Sequence, residues 1–153
     1  MSCSKQLLLL CLCLASFGAI RAQSTEDSVK AAVNLLFTGM KESDATLVNK
    51  AFADSAILQT INKNKEGKDV VRTERLADFA GFVGKSTKGD LDERIRIDVL
   101  KIDGPLAIVW APYTFYFKGN KNHCGVDSFQ MIRGTDGVWR ILYLIDTRRK
   151  DCE

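Results

Sequence analysis

Asp127, Asp146 and His123 carry most of the chemistry this sequence can offer. Each lies in a segment with the period-two pattern of a strand, so the turns joining those segments decide which side chains meet. A two-residue turn at Asp136-Gly137 places Asp127 opposite Asp146, Phe129 opposite Leu144 and Met131 opposite Leu142. Opposed Cβ atoms on neighbouring strands stand roughly 5 Å apart. Two carboxylates that close, shielded from water, push one pKa upward, and the protonated carboxyl can donate a hydrogen bond to a ligand carbonyl. The competing reading is a pair of solvated acids beside Arg148. A two-residue turn at Gly119-Asn120 sets Tyr116 opposite His123 and Trp110 opposite Phe129. Four residues of strand span about 13 Å, so His123 does not touch Asp127 directly. It is the only histidine, with no second imidazole beside it, so no metal or other cofactor is expected and a place on the surface or flanking a turn suits it best.

Strand parity sorts the remaining side chains. One face holds Trp110, Thr114, Tyr116, His123, Asp127, Phe129, Met131, Leu142, Leu144 and Asp146. Apolar walls with a few polar groups are the makeup of a ligand pocket, and Trp110, Tyr116, His123, Asp127, Phe129 and Asp146 are its candidate contacts. The other face holds Tyr113, Phe115, Phe117, Val126, Ile132, Trp139, Ile141, Tyr143 and Ile145. That is too much apolar surface to leave in water. Either it is the outer face of the sheet and is covered by a second copy of the chain, or the faces are reversed and it forms the core. A single bulge would exchange faces along part of a strand.

The elements that position these residues follow from the periodicity. Ser24 or Thr25 caps a helix with Glu26 and Asp27 in its first turn and Val29, Ala32, Val33, Leu36 and Met40 as its stripe. Ser43 or Asp44 caps a shorter helix carrying Leu47, Val48, Ala51 and Phe52. Ala56 to Ile61 reads as a strand and the lysine-rich stretch Asn62 to Lys68 as a solvated loop. Thr73 caps a third helix carrying Leu76, Phe79, Ala80 and Val83. From Leu91 the period changes to two, with Ile95, Ile97 and Val99 alternating with Arg94, Arg96 and Asp98. Long strands at Leu106 to Lys118, His123 to Arg133 and Val138 to Arg148 complete a meander. Helices gathered ahead of strands argue an α+β fold, with the helices packed on one sheet face.

The first 22 residues have a separate logic. Lys5 supplies a positive start, Leu7 to Leu14 run apolar, and small residues lead to Ala22 and Gln23, the order of a secretory signal peptide. The expected organisation is a signal peptide over 1–22 and one domain over 23–153, exported to the periplasm or the extracellular space. Cleavage leaves 20 basic and 19 acidic residues, with neither a basic arm for nucleic acid nor a segment to hold the mature chain in a membrane. Cys3, Cys11 and Cys13 leave with the signal, and Cys124 and Cys152 remain as either a disulfide or two free thiols. The chain-entropy value of closing so long a loop is roughly 3–4 kcal/mol.

The run Ser43-Asp44-Ala45-Thr46-Leu47-Val48-Asn49-Lys50-Ala51-Phe52-Ala53-Asp54-Ser55-Ala56 resembles the second-helix signature of the nuclear transport factor 2-like superfamily. Within it, Ser128-Phe129-Gln130-Met131, Gly137-Val138-Trp139-Arg140-Ile141 and Asp146-Thr147 resemble the exported group labelled "putative lumazine-binding". The resemblance implies a curved, mostly antiparallel sheet forming a cone, closed by three N-terminal helices, with a pocket at the open end; homodimers through the outer sheet face are common in the superfamily. One fold of this kind hosts many activities, so function must be argued from the site. Val126-Asp127-Ser128-Phe129 is similar to the ketosteroid isomerase strand that carries an oxyanion-hole aspartate, but the isomerase tyrosine falls on Leu36 and its base on Thr60. Leucine donates no hydrogen bond and threonine is no base near neutral pH, which disfavours isomerisation.

The leading expectation is a non-catalytic exported binder of a small apolar or aromatic molecule. A lyase, hydrolase or isomerase in the same pocket is the alternative, and a homodimeric module with a filled cone and no ligand is the third. A cavity below about 300 Å³ would favour the filled cone.

Overall fold

A computed structural model describes residues 24–152; the expected signal peptide lies outside them. Helix α1 (Thr25–Glu42) starts at Ser24, whose Oγ accepts the Asp27 N–H at 3.1 Å. It ends where Ser43 turns left-handed at φ 57°. Helix α2 (Ala45–Ala51) is capped by Asp44, whose Oδ1 accepts from Thr46 N at 2.7 Å and Leu47 N at 3.1 Å. The two helices pack closely at Gly39, where a Cβ would stand 2.8 Å from the Val48 nitrogen. The remaining elements are β1 (Phe52–Lys63), β2 (Asp69–Glu74), α3 (Leu76–Lys85), β3 (Leu91–Ile95), β4 (Val99–Asp103), β5 (Leu106–Phe117), β6 (Asn120–Arg133) and β7 (Trp139–Thr147).

The sheet runs β2-β1-β7-β6-β5-β3, with β4 also paired to β5. Strands β1 and β7 are parallel and the other pairs antiparallel, so the sheet is mostly antiparallel and unclosed. Two segments differ from the sequence reading. The third helix starts at Leu76 rather than after Thr73, because Asp69–Glu74 pairs with β1 as a strand. The alternating run from Leu91 is split into β3 and β4, both laid along β5.

The helices cover the concave face. Val29, Val33 and Leu36 of α1 and Val48 of α2 are buried with Val109, Phe129, Met131 and Ile141 from the sheet, and Phe37 meets Phe129 edge-on at 6.3 Å between centroids. Asp127 and Asp146 face this interior, which selects the first of the two face assignments for β6 and the end of β7. Two bulges amend it elsewhere. The β6–β7 register slips between Gln130 and Met131, which now pairs with Ile141 and not Leu142. Trp139 and Ile141 therefore turn inward and are buried. The β5–β6 register slips after Phe115, because the hairpin closes as Phe117 opposite Asn120, with Tyr116 opposite Lys121. Trp110 then pairs with Ser128 rather than Phe129, and His123 with Phe115 rather than Tyr116. Trp110, Thr114 and Tyr116 accordingly lie on the outer face, while Tyr113, Phe115 and Phe117 turn inward.

Cys124 and Cys152 form a disulfide, with Cα atoms 5.9 Å apart. The tail it anchors is also bridged by backbone, Cys124 N to Arg149 O at 3.0 Å and Arg149 N to Cys124 O at 2.9 Å. Among the described residues no helix is long and apolar enough to cross a membrane.

Candidate functional site

The open end of the cone gathers acids from three strands. Asp127 of β6 pairs in register with Asp146 of β7, as the turn geometry predicts, and Glu93 of β3 reaches the same interior. The three carboxyls are treated very differently. Asp146 is occupied by donors: Thr60 Oγ1 at 2.5 Å, Tyr113 Oη at 3.1 Å and Arg148 Nε at 2.9 Å. Arg148 also donates to Thr60 Oγ1 at 3.2 Å, and Tyr113 Oη lies 3.0 Å from the Thr147 carbonyl. This is a closed clamp across β1, β5 and β7.

Asp127 is only 3% exposed, and its Oδ2 has no protein partner. Burial, and then the neighbouring Glu93 and Asp146 charges, push its carboxyl well above the usual range. Glu93 is partly covered as a residue and lines the same cavity as Asp127; burial first, then the Asp146 charge, push its carboxyl up to about 8. Two carboxyls buried in one cavity do not both ionise near neutral pH. The pair therefore presents an acid O–H near neutral pH. Burial also pushes Tyr113 upward, so the phenol remains a donor to the clamp.

Beneath the helices this cluster borders a cavity of about 70 Å³, lined by Leu36, Phe37, Leu58, Thr60, Leu144 and the acids. That is room for a few solvent-sized atoms rather than a ligand. It opens toward a depression of about 360 Å³ walled by Phe79, Phe82, Phe115, Phe117 and His123. Met40, Glu74, Phe79, Glu93 and Arg148 line both. His123 sits at this mouth, edge-on to Tyr113 at 5.6 Å and 5.0 Å from the Phe115 ring. Burial and the Arg148 charge push its imidazole down to about 4, so it is neutral at pH 7, with Nδ1 2.8 Å from Asn122 Oδ1. Among the described residues no group of three or more His, Cys, Asp or Glu converges as a metal site.

Of the sequence-derived candidates, His123, Asp127, Phe129 and Asp146 share the concave face, Phe129 as fully buried core between Phe37 and the sheet. Trp110 and Tyr116 do not join them. Trp110 is 47% exposed on the outer face, and the Tyr116 ring lies there beneath the Arg94 guanidinium at 4.2 Å. The residue that sequence reasoning missed is Glu93. Its signal was present: it has the parity of the apolar Ile95 and Ile97, opposite to Arg94 and Arg96.

The fold is that of the nuclear transport factor 2-like, or cystatin-like, proteins. A solved NTF2-like protein of unknown function from Shewanella baltica OS155 is similar at TM-score 0.64 and 13% identity, covering 82% of this chain and 94% of its own. A domain of unknown function with a cystatin-like fold from Nostoc punctiforme PCC 73102 gives TM-score 0.63 at 15% identity, covering 82% and 78%. A ketosteroid isomerase-like protein from Erwinia carotovora atroseptica gives 0.57 at 16%, covering 81% and 95%. At such identities these show the fold alone. The family described as "Putative lumazine-binding" matches residues 24–143, and the chain belongs to it. No curated protein matches the chain in sequence.

Proposed function

We propose that the chain is an exported, non-catalytic protein that binds a small, largely apolar or aromatic molecule at the mouth of the cone. The observation that carries this reading is the buried, unpartnered Asp127 Oδ2 at the floor of a cavity that opens onto an aromatic depression. The body of the ligand rests against Phe79, Phe115 and Phe117, and one polar group reaches inward. A carbonyl or ring nitrogen accepts from the protonated Asp127 carboxyl, whose Oδ2 has no partner in the protein. The depression falls within the range of small-molecule sites, about 300–1,000 Å³, whereas the inner cavity alone does not. The family description, with its reference to a pteridine-type ring, agrees with an aromatic ligand.

The absence of catalysis is supported by the same cavity wall. Leu36 and Thr60 line it together with Asp127, and Thr60 is engaged with Asp146. Neither supplies the donor or the base that proton transfer in an isomerase would need. A filled, ligand-free module draws on the small inner cavity. The outer face bears Leu106, Ile108, Trp110 and Ile132, each at least 39% exposed, and this apolar surface suits a second copy of the chain.

A thermal-shift screen of flavin-like, pteridine and apolar metabolites on the purified chain tests the proposal. The expected hits raise Tm in the wild type and lose that effect in Asp127→Leu. Stabilisation by none of the ring compounds would leave the filled module as the better description. Turnover of a hit would instead establish an enzyme. Export is checked by the N-terminus of protein recovered outside the cytoplasm, expected at Gln23.

A further inference from the structure

We propose that the ligand of the cone mouth carries an anionic group, a carboxylate or a phosphate, seated in a basic depression built by the disulfide-anchored tail. The proposal rests on the mouth-binding reading above and adds the chemical class of the ligand's other end. Beside the aromatic mouth lies a second depression, of about 500 Å³, lined by Lys63, Arg148, Arg149 and Lys150, with Asp151 as its one acid among the described residues. Asn122, His123 and Arg148 line both depressions, so one molecule can occupy the two at once.

Two of the four cations are already matched. Lys63 pairs with Asp69 at 3.0 Å and Arg148 with Asp146 at 2.9 Å. Arg149 and Lys150 have no acidic partner among the described residues, and Lys150 Nζ is held by the Asn122 carbonyl at 2.8 Å. Ordering such long side chains is ordinarily an entropic cost of binding. Here the backbone that carries them is fixed beforehand. Arg148 N donates to Ile61 O at 3.0 Å, Arg149 is bridged to Cys124, and Cys152 is bonded to Cys124. The disulfide therefore holds two uncompensated positive charges at the rim of an apolar site.

The basic groove on the outer face shares Arg149 and Asp151 with this depression but lacks Lys150. Its other two cations, Arg94 and Arg96, are bonded to Asp92 and Asp98.

The test compares three probes on the oxidised, purified chain at low ionic strength: 1-naphthylacetamide, 1-naphthylacetate and 1-naphthyl phosphate, by calorimetry. The anionic probes are expected to bind about tenfold more tightly than the amide, the effect of two cations at a few ångströms in a mostly aqueous setting. The preference should shrink at high salt and disappear in Arg149→Glu/Lys150→Glu and on reduction of the disulfide. If the reduced chain unfolds, the charge-reversed variant with its disulfide intact carries the test alone. Equal affinity for amide and anions, or a preference that survives charge reversal, overturns the anionic subsite and leaves mouth binding standing. Failure of all three probes to bind overturns both.

Discussion

Glu93 on β3 and Asp127 on β6 line the same cavity inside the cone although β5 lies between their strands. Only a strongly curved sheet brings them together across its concave face. Their burial together has a consequence for stability. The Glu93 carboxyl, pushed up to about 8, contributes stability that is fully present below its unfolded value and is lost as pH rises through about 8. Asp127 is shifted in the same direction. His123, pushed down to about 4, works the opposite way: its contribution is present above about 6.5 and lost as pH falls. Between pH 6.5 and 8 the acid pair alone sets the slope. Urea unfolding should show stability falling by up to about 2 kcal/mol across that interval, and Glu93→Gln should flatten it. A flat wild-type profile would mean that neither carboxyl is held protonated in the folded chain.

Gly125 is fixed by backbone crowding. A Cβ there would collide with the Thr147 carbonyl, where the tail passes over β6. Gly125→Ala should cost about 2 kcal/mol or more and weaken the Asp146 clamp next to Thr147, read by denaturant midpoint. A neutral outcome would show that the tail does not pass so close in solution.

The clamp itself is testable at Tyr113. Removing its hydroxyl takes one donor from Asp146 and from the Thr147 carbonyl, in a side chain only 5% exposed. Tyr113→Phe should lose about 1–2 kcal/mol with little change in the far-ultraviolet spectrum.

The disulfide closes a loop with a sequence separation of 28. Cys124→Ser/Cys152→Ser should be less stable than the oxidised chain by roughly 3 kcal/mol in denaturant unfolding, because the loop-closure entropy returns to the unfolded state. An unchanged midpoint would show that the tail is held by its backbone bridge alone.

The apolar outer face predicts concentration-dependent self-association. Trp110→Asp should shift sedimentation toward the monomer without lowering Tm at low concentration. A wild type that sediments as a monomer at high concentration would remove the second copy from the account.

The helix stripes, the caps of the first two helices and the period change at Leu91 were legible because each arises within one element. The Asp127–Asp146 pairing agrees with the two-residue turn expected from the sequence, although the register is reached differently: the hairpin closes as Arg133 opposite Trp139, and the bulge at Leu142 restores the pairing. The failures share one cause. The bulges that displace Leu142 and Asn122 each add a residue to one strand, and nothing local in the sequence marks them. They sent Trp139 and Ile141 inward and left Trp110 and Tyr116 outside. Strand β2 went unread because Asp69–Glu74 is mostly exposed and polar, with no apolar face to produce a period. Glu93 was passed over for a different reason: an acid at an apolar parity position looks like noise until its partner across the cone is seen.

The most direct test of the binding claim is a chemical-shift map of the chain during titration with a ring compound that raises its Tm. The expected result is that shifts concentrate at Phe115, Phe117, His123 and the Asp127 carboxyl. Shifts confined to Trp110 and its neighbours on the outer face would contradict it.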